Sequence, residues 1–289
     1  MTSGADWSGR VGATWAAEWH RTERAFADIA RVLDAAITAT APVAGRAADV
    51  GCGVGSTTLA LAAARPGLRV IGVDLAAPLV AVARERARAC AREADDDADR
   101  ERRVDFLVGD AAAVLPTLGG LDLIVSRHGV MFFDDPVVSF TAMARAARPG
   151  APLVFSCFRT REENDWASAL GAALGATPRP TGAYAPGPFG FADRALTRDI
   201  LAAAGWRDEG ATRHDVRYVV GSGDDPIADA LAFFRRIGPA AAALAAAEPD
   251  ERAVMERRIA AALAPRIRDG AVAFTAAIWV WVARAGEPS

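Results

Sequence analysis

Three aspartates stand at or beside the ends of short apolar runs: Asp49 after Ala47-Ala48, Asp74 after Val70-Ile71-Gly72-Val73, and Asp110 after Phe106-Leu107-Val108-Gly109. Between the first two lies Gly51-Cys52-Gly53-Val54-Gly55, followed by Ser56-Thr57-Thr58-Leu59, a good helix start. Alternate glycines let the backbone bend sharply and let a ligand approach without meeting a Cβ. The free N–H groups at the start of the next helix then face that ligand. Asp74 follows Asp49 by 25 residues, about one helix and one strand, the place where βαβ folds put an acid on two ribose hydroxyls. The chemistry in view is the capture of a nucleoside. The G-x-G-x-G spacing is not the G-x-G-x-x-G dinucleotide fingerprint. A P-loop needs a lysine, and all 33 basic residues here are arginine. The lack of lysine also removes a pyridoxal Schiff base and a lysine nucleophile. His128, just after Leu123-Ile124-Val125-Ser126-Arg127, reads either as a base that works near neutral pH or as a histidine that packs. Arg127 beside it is placed to bind a cofactor or a substrate.

The elements that must position these residues follow from apolar patterning. Runs ending at Val50, Asp74, Asp110 and His128, and the stretch Pro152–Phe158, read as buried parallel strands separated by helices. In such open sheets ligands lie at the carboxyl ends of the strands. Trp15, Trp19, Phe26, Ile29 and Leu33 recur at three- and four-residue steps, which predicts one helix from Thr14 to Ala36. Glu93–Glu101 is a charge run expected in a solvated loop. Residues 160–193 are rich in glycine and proline and carry Trp166, Tyr184, Phe189 and Phe191, the pattern of an ordered active-site cover. Trp206–Val220 and Val272–Val282 read as strands, with helices at Asp224–Ile237 and Ala240–Leu263 between them. Phe233 and Phe234 read there as core of a cap, and Arg235 and Arg236 as a solvated face.

The motifs together resemble the class I S-adenosylmethionine-dependent methyltransferases. Asp49-Val50-Gly51-Cys52-Gly53-Val54-Gly55 is similar to their first motif, Val73-Asp74 to the ribose acid and Gly109-Asp110-Ala111 to the adenine-side acid. Ser126-Arg127-His128-Gly129-Val130-Met131-Phe132-Phe133-Asp134-Asp135-Pro136 resembles the segment after strand four in the branch close to ubiquinone/menaquinone-biosynthesis enzymes. Ala147-Arg148-Pro149-Gly150 with Leu153-Val154-Phe155 resembles that family's turn into strand five. The resemblance covers roughly residues 45–160 and implies an α/β fold. Its centre is a Rossmann-like, seven-stranded, mostly parallel sheet with helices on both faces and the last strand antiparallel. It implies a single methyltransferase domain: an N-terminal lid helix over 1–40, the cofactor-binding core over 41–160, helical cap insertions over 160–193 and 224–268, and the last strand over 271–285.

The same resemblance implies S-adenosylmethionine as cofactor, and methyl transfer by in-line displacement to an O, N or C nucleophile of a small-molecule acceptor. The cofactor would be held by Asp49, Gly51, Cys52, Gly53, Gly55, Thr57, Asp74, Leu75, Asp110, Ala111, Ser126 and Arg127. Asp49 would serve the methionine amino end, Asp74 the ribose hydroxyls and Asp110 the adenine amine. His128 is the candidate catalytic base, and Trp19, His20, Tyr184 and Phe233 are candidates for the substrate pocket. A cofactor-binding module without transferase activity is the alternative, and a NAD-linked oxidoreductase a third reading, disfavoured by the glycine spacing.

Composition narrows the partners. The 289 residues are 52% hydrophobic and carry a net charge of −3 with both signs interspersed, which leaves no electrostatic footprint for nucleic acid. Three cysteines and three histidines in no ligand spacing argue against a disulfide framework and a metal site. No stretch reads as a secretory signal or as a membrane span, so the expectation is a cytoplasmic protein.

Overall fold

The structure, a computed structural model, describes residues 4–93, 103–175 and 184–287. The charge run at 93–101 lies almost wholly outside these residues. In chain order come α1 (Gly4–Ser8), α2 (Arg10–Ala17), α3 (Trp19–Ala25), α4 (Ala27–Thr40), β1 (Ala44–Val50), α5 (Ser56–Ala64), β2 (Gly67–Asp74), α6 (Ala77–Glu93) and β3 (Val104–Val108). They are followed by α7 (Ala111–Leu118), β4 (Leu123–Arg127), a 3-10 turn at Val130–Phe132, α8 (Pro136–Ala146), β5 (Pro152–Phe158), α9 (Asp165–Ala173), α10 (Arg194–Ala203) and β6 (Trp206–Gly221). The chain closes with α11 (Pro226–Phe234), α12 (Pro239–Ala246), α13 (Pro249–Leu263), β7 (Ile267–Arg268) and β8 (Ala271–Ala285).

The sheet runs β3-β2-β1-β4-β5-β8-β6. β1 to β5 pair in parallel, and β8 runs antiparallel between β5 and β6, as expected for the last strand. The two-residue β7 adds an eighth strand by pairing with β8. Strand order reverses between β1 and β4, and a crevice opens at such a switch point. Register carries Asp49 (opposite Gly72) and Asp74 (opposite Val108) to the same edge of the sheet. The inner strands are buried on both faces, which is why they read as continuous apolar runs. Phe140, Phe155, Phe191 and Trp281 fill the far side of the core. Phe155 stacks on Trp281 with centroids 6.0 Å apart.

Two bare backbones meet at the crossover. Gly51 has φ +65, and a Cβ there would stand 2.8 Å from Gly129 Cα. The Ser126 hydroxyl donates to Val50 O (2.7 Å) and accepts from Val130 N (3.3 Å), binding the turn after β4 to the end of β1.

Three elements depart from the sequence expectation. The single N-terminal helix is divided at Glu18 (φ −99, ψ 14) and Phe26 (φ −92, ψ 5). Each break is one residue close to helical geometry, so the apolar period survives while the axis turns to follow the domain. The stretch expected as a cover, 160–193, of which 176–183 lie outside the described residues, contains α9, whose Trp166, Ala167 and Leu170 are buried. The expected helix over Ala240–Leu263 is two helices, because the residue before Pro249 is pushed to extended geometry: Glu248 has ψ 157.

Gly129 has ordinary helical angles (φ −74, ψ −42), so replacing it tests space rather than backbone strain. An added Cβ would stand 2.7 Å from Val50 O and 2.9 Å from Gly51 Cα. Gly129→Ala is expected to lower stability by about 1–3 kcal/mol. Gly171→Ala, in α9 with nothing within 4 Å of the new methyl, should raise it by up to about 1 kcal/mol. Urea unfolding midpoints read both.

Candidate active site

A cavity of about 450 Å³ lies over the carboxyl ends of β1–β4. Its floor is the glycine turn. Gly51 N and Cys52 N both donate to Val73 O (2.8 and 3.1 Å), which fixes the turn to the end of β2. Gly53, with φ +55, faces open space. Asp74 closes this floor from the side: its Oδ2 accepts from Gly53 N and its Oδ1 from Ala76 N, both at 2.8 Å. Burial pushes the Asp74 carboxyl up, and the two amides work against that. Asp49 is fully enclosed. Its Oδ2 accepts from Thr58 Oγ1 (2.7 Å), and its Oδ1 has no partner among the described residues. Burial pushes its carboxyl up to about 7. Asp110 is exposed at the rim and N-caps α7 by accepting from Ala112 N (2.9 Å). Cys52, Thr57, Leu75, Ala111 and Arg127 also line the cavity. Burial and the nearby acids raise the Cys52 thiol well above its ordinary value, so it fills space rather than reacting.

Two residues expected on the cofactor lie behind the wall. Gly55 turns the chain into α5 with φ +79, and a Cβ on it would strike the Phe106 ring at 2.7 Å. Ser126 is held by the β1–β4 contact described above and does not reach the cavity.

The opposite half is aromatic. Phe26, Phe158, Trp166, Tyr218, Phe233 and Phe234 line it together with His128. Of the expected substrate-pocket residues, Phe233 is therefore in place and three are not. Trp19 stacks on His20 (3.6 Å) outside the cavity, under the Arg86 guanidinium. Tyr184 is anchored away from the pocket, its hydroxyl donating to Phe133 O at 2.6 Å. Trp166 lies on the expected active-site cover, whereas sequence reading missed Phe26, Phe158 and Tyr218 as the rest of one wall. The four come from α4's entry, β5, α9 and β6, and no spacing along the chain marks them as neighbours.

His128 has φ +62, a left-handed value rare outside glycine. Its Nδ1 lies 2.8 Å from Ser156 Oγ, and its Nε2 has no partner among the described residues. Burial, with Arg127 beside it, pushes the imidazole down to about 3. That makes it a poor base, which counts against the role expected from sequence. Arg127 is engaged by Glu23 at 2.5 Å. Burial pushes the Glu23 carboxyl up, but Arg127, the Ser56 hydroxyl and Arg86 together hold it below its ordinary value.

The roof is stapled by charge. Arg21 and Arg24 both reach Asp229 of α11 at 2.7 Å, and Arg236 reaches Glu18 at 2.6 Å. Arg235 pairs with Glu256 at 2.7 Å. Both arginines are exposed, as expected, and also tie the segment after α11 to α13 and to the N-terminal helices.

A family profile described as a methyltransferase domain matches residues 48–155. The chain is 32% identical over 198 residues to a ubiquinone biosynthesis O-methyltransferase of Paracidovorax citrulli, covering 66% of this chain and 77% of that one. The chain belongs to the class I S-adenosylmethionine-dependent methyltransferases. It is also 32% identical to a demethylmenaquinone methyltransferase of Thermus thermophilus over 38% of this chain and 45% of that relative. The solved structure of the YcgJ protein from Bacillus subtilis shares the fold, with TM-score 0.55 and 15% identity over 89% of this chain and all of that one. This methyltransferase uses S-adenosylmethionine as its cofactor and transfers a methyl group to a small molecule. Among the described residues no helix is long and apolar enough to cross a membrane.

The enclosed carboxyl of Asp49 makes this methyltransferase sensitive to pH. Its folded value of about 7 lies above the unfolded value of about 3.9. Its contribution to stability is therefore complete below about pH 4 and is lost as pH rises through about 7. Asp34, at about 6, acts in the same sense. Between about pH 5 and 8 the ligand-free parent should lose stability relative to Asp49→Asn, read by urea unfolding at each pH. Equal pH dependence of the two proteins would contradict the burial argument.

Proposed function

We propose that this methyltransferase acts on the oxygen of a flat aromatic small molecule. The observation that carries the reading is the wall of Phe26, Phe158, Trp166, Tyr218, Phe233 and Phe234 facing the glycine turn across one cavity. Such a wall gives an apolar ring a large contact area, and pairs of rings add about 0.5–1.5 kcal/mol each beyond area burial. The similarity to an O-methyltransferase supports oxygen as the acceptor atom.

The residues present suit the cofactor. Asp74 has lone pairs left beyond its two amide bonds for the ribose hydroxyls. Asp110 serves the adenine amine from the rim with the oxygen that the α7 cap does not use. The unpartnered Oδ1 of Asp49 serves the amino end, ionised when an ammonium offsets its burial. Gly51 and Gly53 offer bare backbone, and Cys52, Thr57, Leu75 and Ala111 complete the lining. Bound there, S-adenosylmethionine supplies a methyl group on a positive sulfur that is its own leaving group. The aromatic wall and the ion-paired roof keep water from the reacting atoms and hold the acceptor in line. Three unpaired cysteines fit work in the reducing cytoplasm.

S-adenosylmethionine and S-adenosylhomocysteine should raise the melting temperature, and NAD should not. Asp74→Asn keeps one carbonyl oxygen for the loop but removes the charge. It is expected to weaken S-adenosylhomocysteine binding by about 10–100-fold, the equivalent of one charge-assisted hydrogen bond. Unchanged affinity in a calorimeter would remove Asp74 from the ribose.

A further inference from the structure

His128 is held at two points by one residue. Its backbone N–H donates to Ser156 O at 3.2 Å, and its Nδ1 lies 2.8 Å from Ser156 Oγ. Ser156 sits in the middle of the sheet on β5 and is fully buried. Among the described residues its hydroxyl has no other hydrogen-bond partner. The opposite ring nitrogen, Nε2, is buried with no partner, on a side chain that lines the cavity and meets Phe158 edge to face at 4.4 Å.

Two hydrogens must be placed in this pair. With the ring hydrogen on Nδ1, it donates to Oγ; the hydroxyl hydrogen is then stranded and the Nε2 lone pair is unmet. With the ring hydrogen on Nε2, the hydroxyl donates to Nδ1 and one buried donor remains, on a side chain that lines the cavity. A buried donor without an acceptor costs about 1–3 kcal/mol, so the arrangement that strands fewer groups wins. The leftover N–H can rest against a ring face until an oxygen takes it.

We infer that Ser156 fixes His128 as a neutral ring protonated at Nε2, so that His128 donates a hydrogen bond to an acceptor oxygen that arrives already ionised, a phenolate or enolate. This rests on the reading of the cavity as an aromatic acceptor site. The proton leaves the acceptor to water before binding. At transfer the phenolate oxygen gains the methyl, the carbon–sulfur bond breaks with its electron pair staying on sulfur, and no proton is released. His128 therefore selects acidic hydroxyls, and Ser156 is its positioning residue. The depressed basicity of the imidazole agrees with this division of labour.

Protein labelled with nitrogen-15 and saturated with S-adenosylhomocysteine tests the assignment by long-range proton–nitrogen spectra. His128 is one of three histidines and is identified by the signal lost in His128→Phe. The parent should show the Nε2-protonated tautomer, and Ser156→Ala should show a mixture. The Nδ1-protonated tautomer in the parent would overturn the inference, whatever the variants do. A second arm titrates 4-nitrophenol into the same complex and reads the colour of its anion. The parent should hold about tenfold more anion at a given pH than His128→Phe, the effect of one hydrogen bond to a charged oxygen. Binding as the neutral phenol, equal anion in both proteins, or no binding at all would overturn the phenolate assignment. Calorimetry with S-adenosylhomocysteine alone reports separately on whether the cofactor reading stands.

Discussion

The close approach of two uncovered backbones at the sheet crossover is the constraint from which the site follows. Gly51 follows β1 and Gly129 lies in the turn after β4, and neither leaves room for a Cβ on the other. Ser126 bridges the same two strand ends. Parallel pairing brings strand ends to one edge but does not by itself bring the loops beyond them into contact. The glycine pair does, and it places the floor of the nucleotide half and His128, one residue from Gly129, against each other. The glycine turn and the aromatic wall then share one cavity.

Burial sets the behaviour of the enclosed polar groups around that cavity. Asp49 and His128 are both displaced toward their neutral forms, in opposite pKa directions, by the same burial. Glu23 stays charged only because Arg127, Ser56 and Arg86 converge on it. The roof over it is itself held by charges, Glu18 and Asp229 against Arg21, Arg24 and Arg236. Those pairs are partly exposed, so each adds little to stability. Their value lies in fixing where the N-terminal helices sit over the strand ends.

The strands and the acids were legible because their signals are local. A parallel strand buried on both faces is a short apolar run, and a strand-end acid beside a glycine turn is visible within ten residues. The five parallel strands and β6 appear where patterning puts them. The failures share a cause. Trp19 and Tyr184 were judged by residue type, yet each side chain is turned from the cavity by a contact with a distant or adjacent group: Arg86 and His20 for one, Phe133 O for the other. Gly55 and Ser126 belong to the right motifs and serve packing instead. The breaks at Glu18 and Phe26 leave the helical period intact, so periodicity could not reveal them.

From residue order alone came the Rossmann-like α/β class, the glycine turn with its three acids, and the methyltransferase family, since each depends on neighbours along the chain. Tertiary structure decided which residues make the aromatic wall, why Asp49 resists ionisation, and which nitrogen of His128 is free. These depend on burial and on partners such as Ser156, 28 residues away along the chain. Hydration and hydrogen-bond partnership are properties of the folded volume, and no pattern within a single segment encodes them.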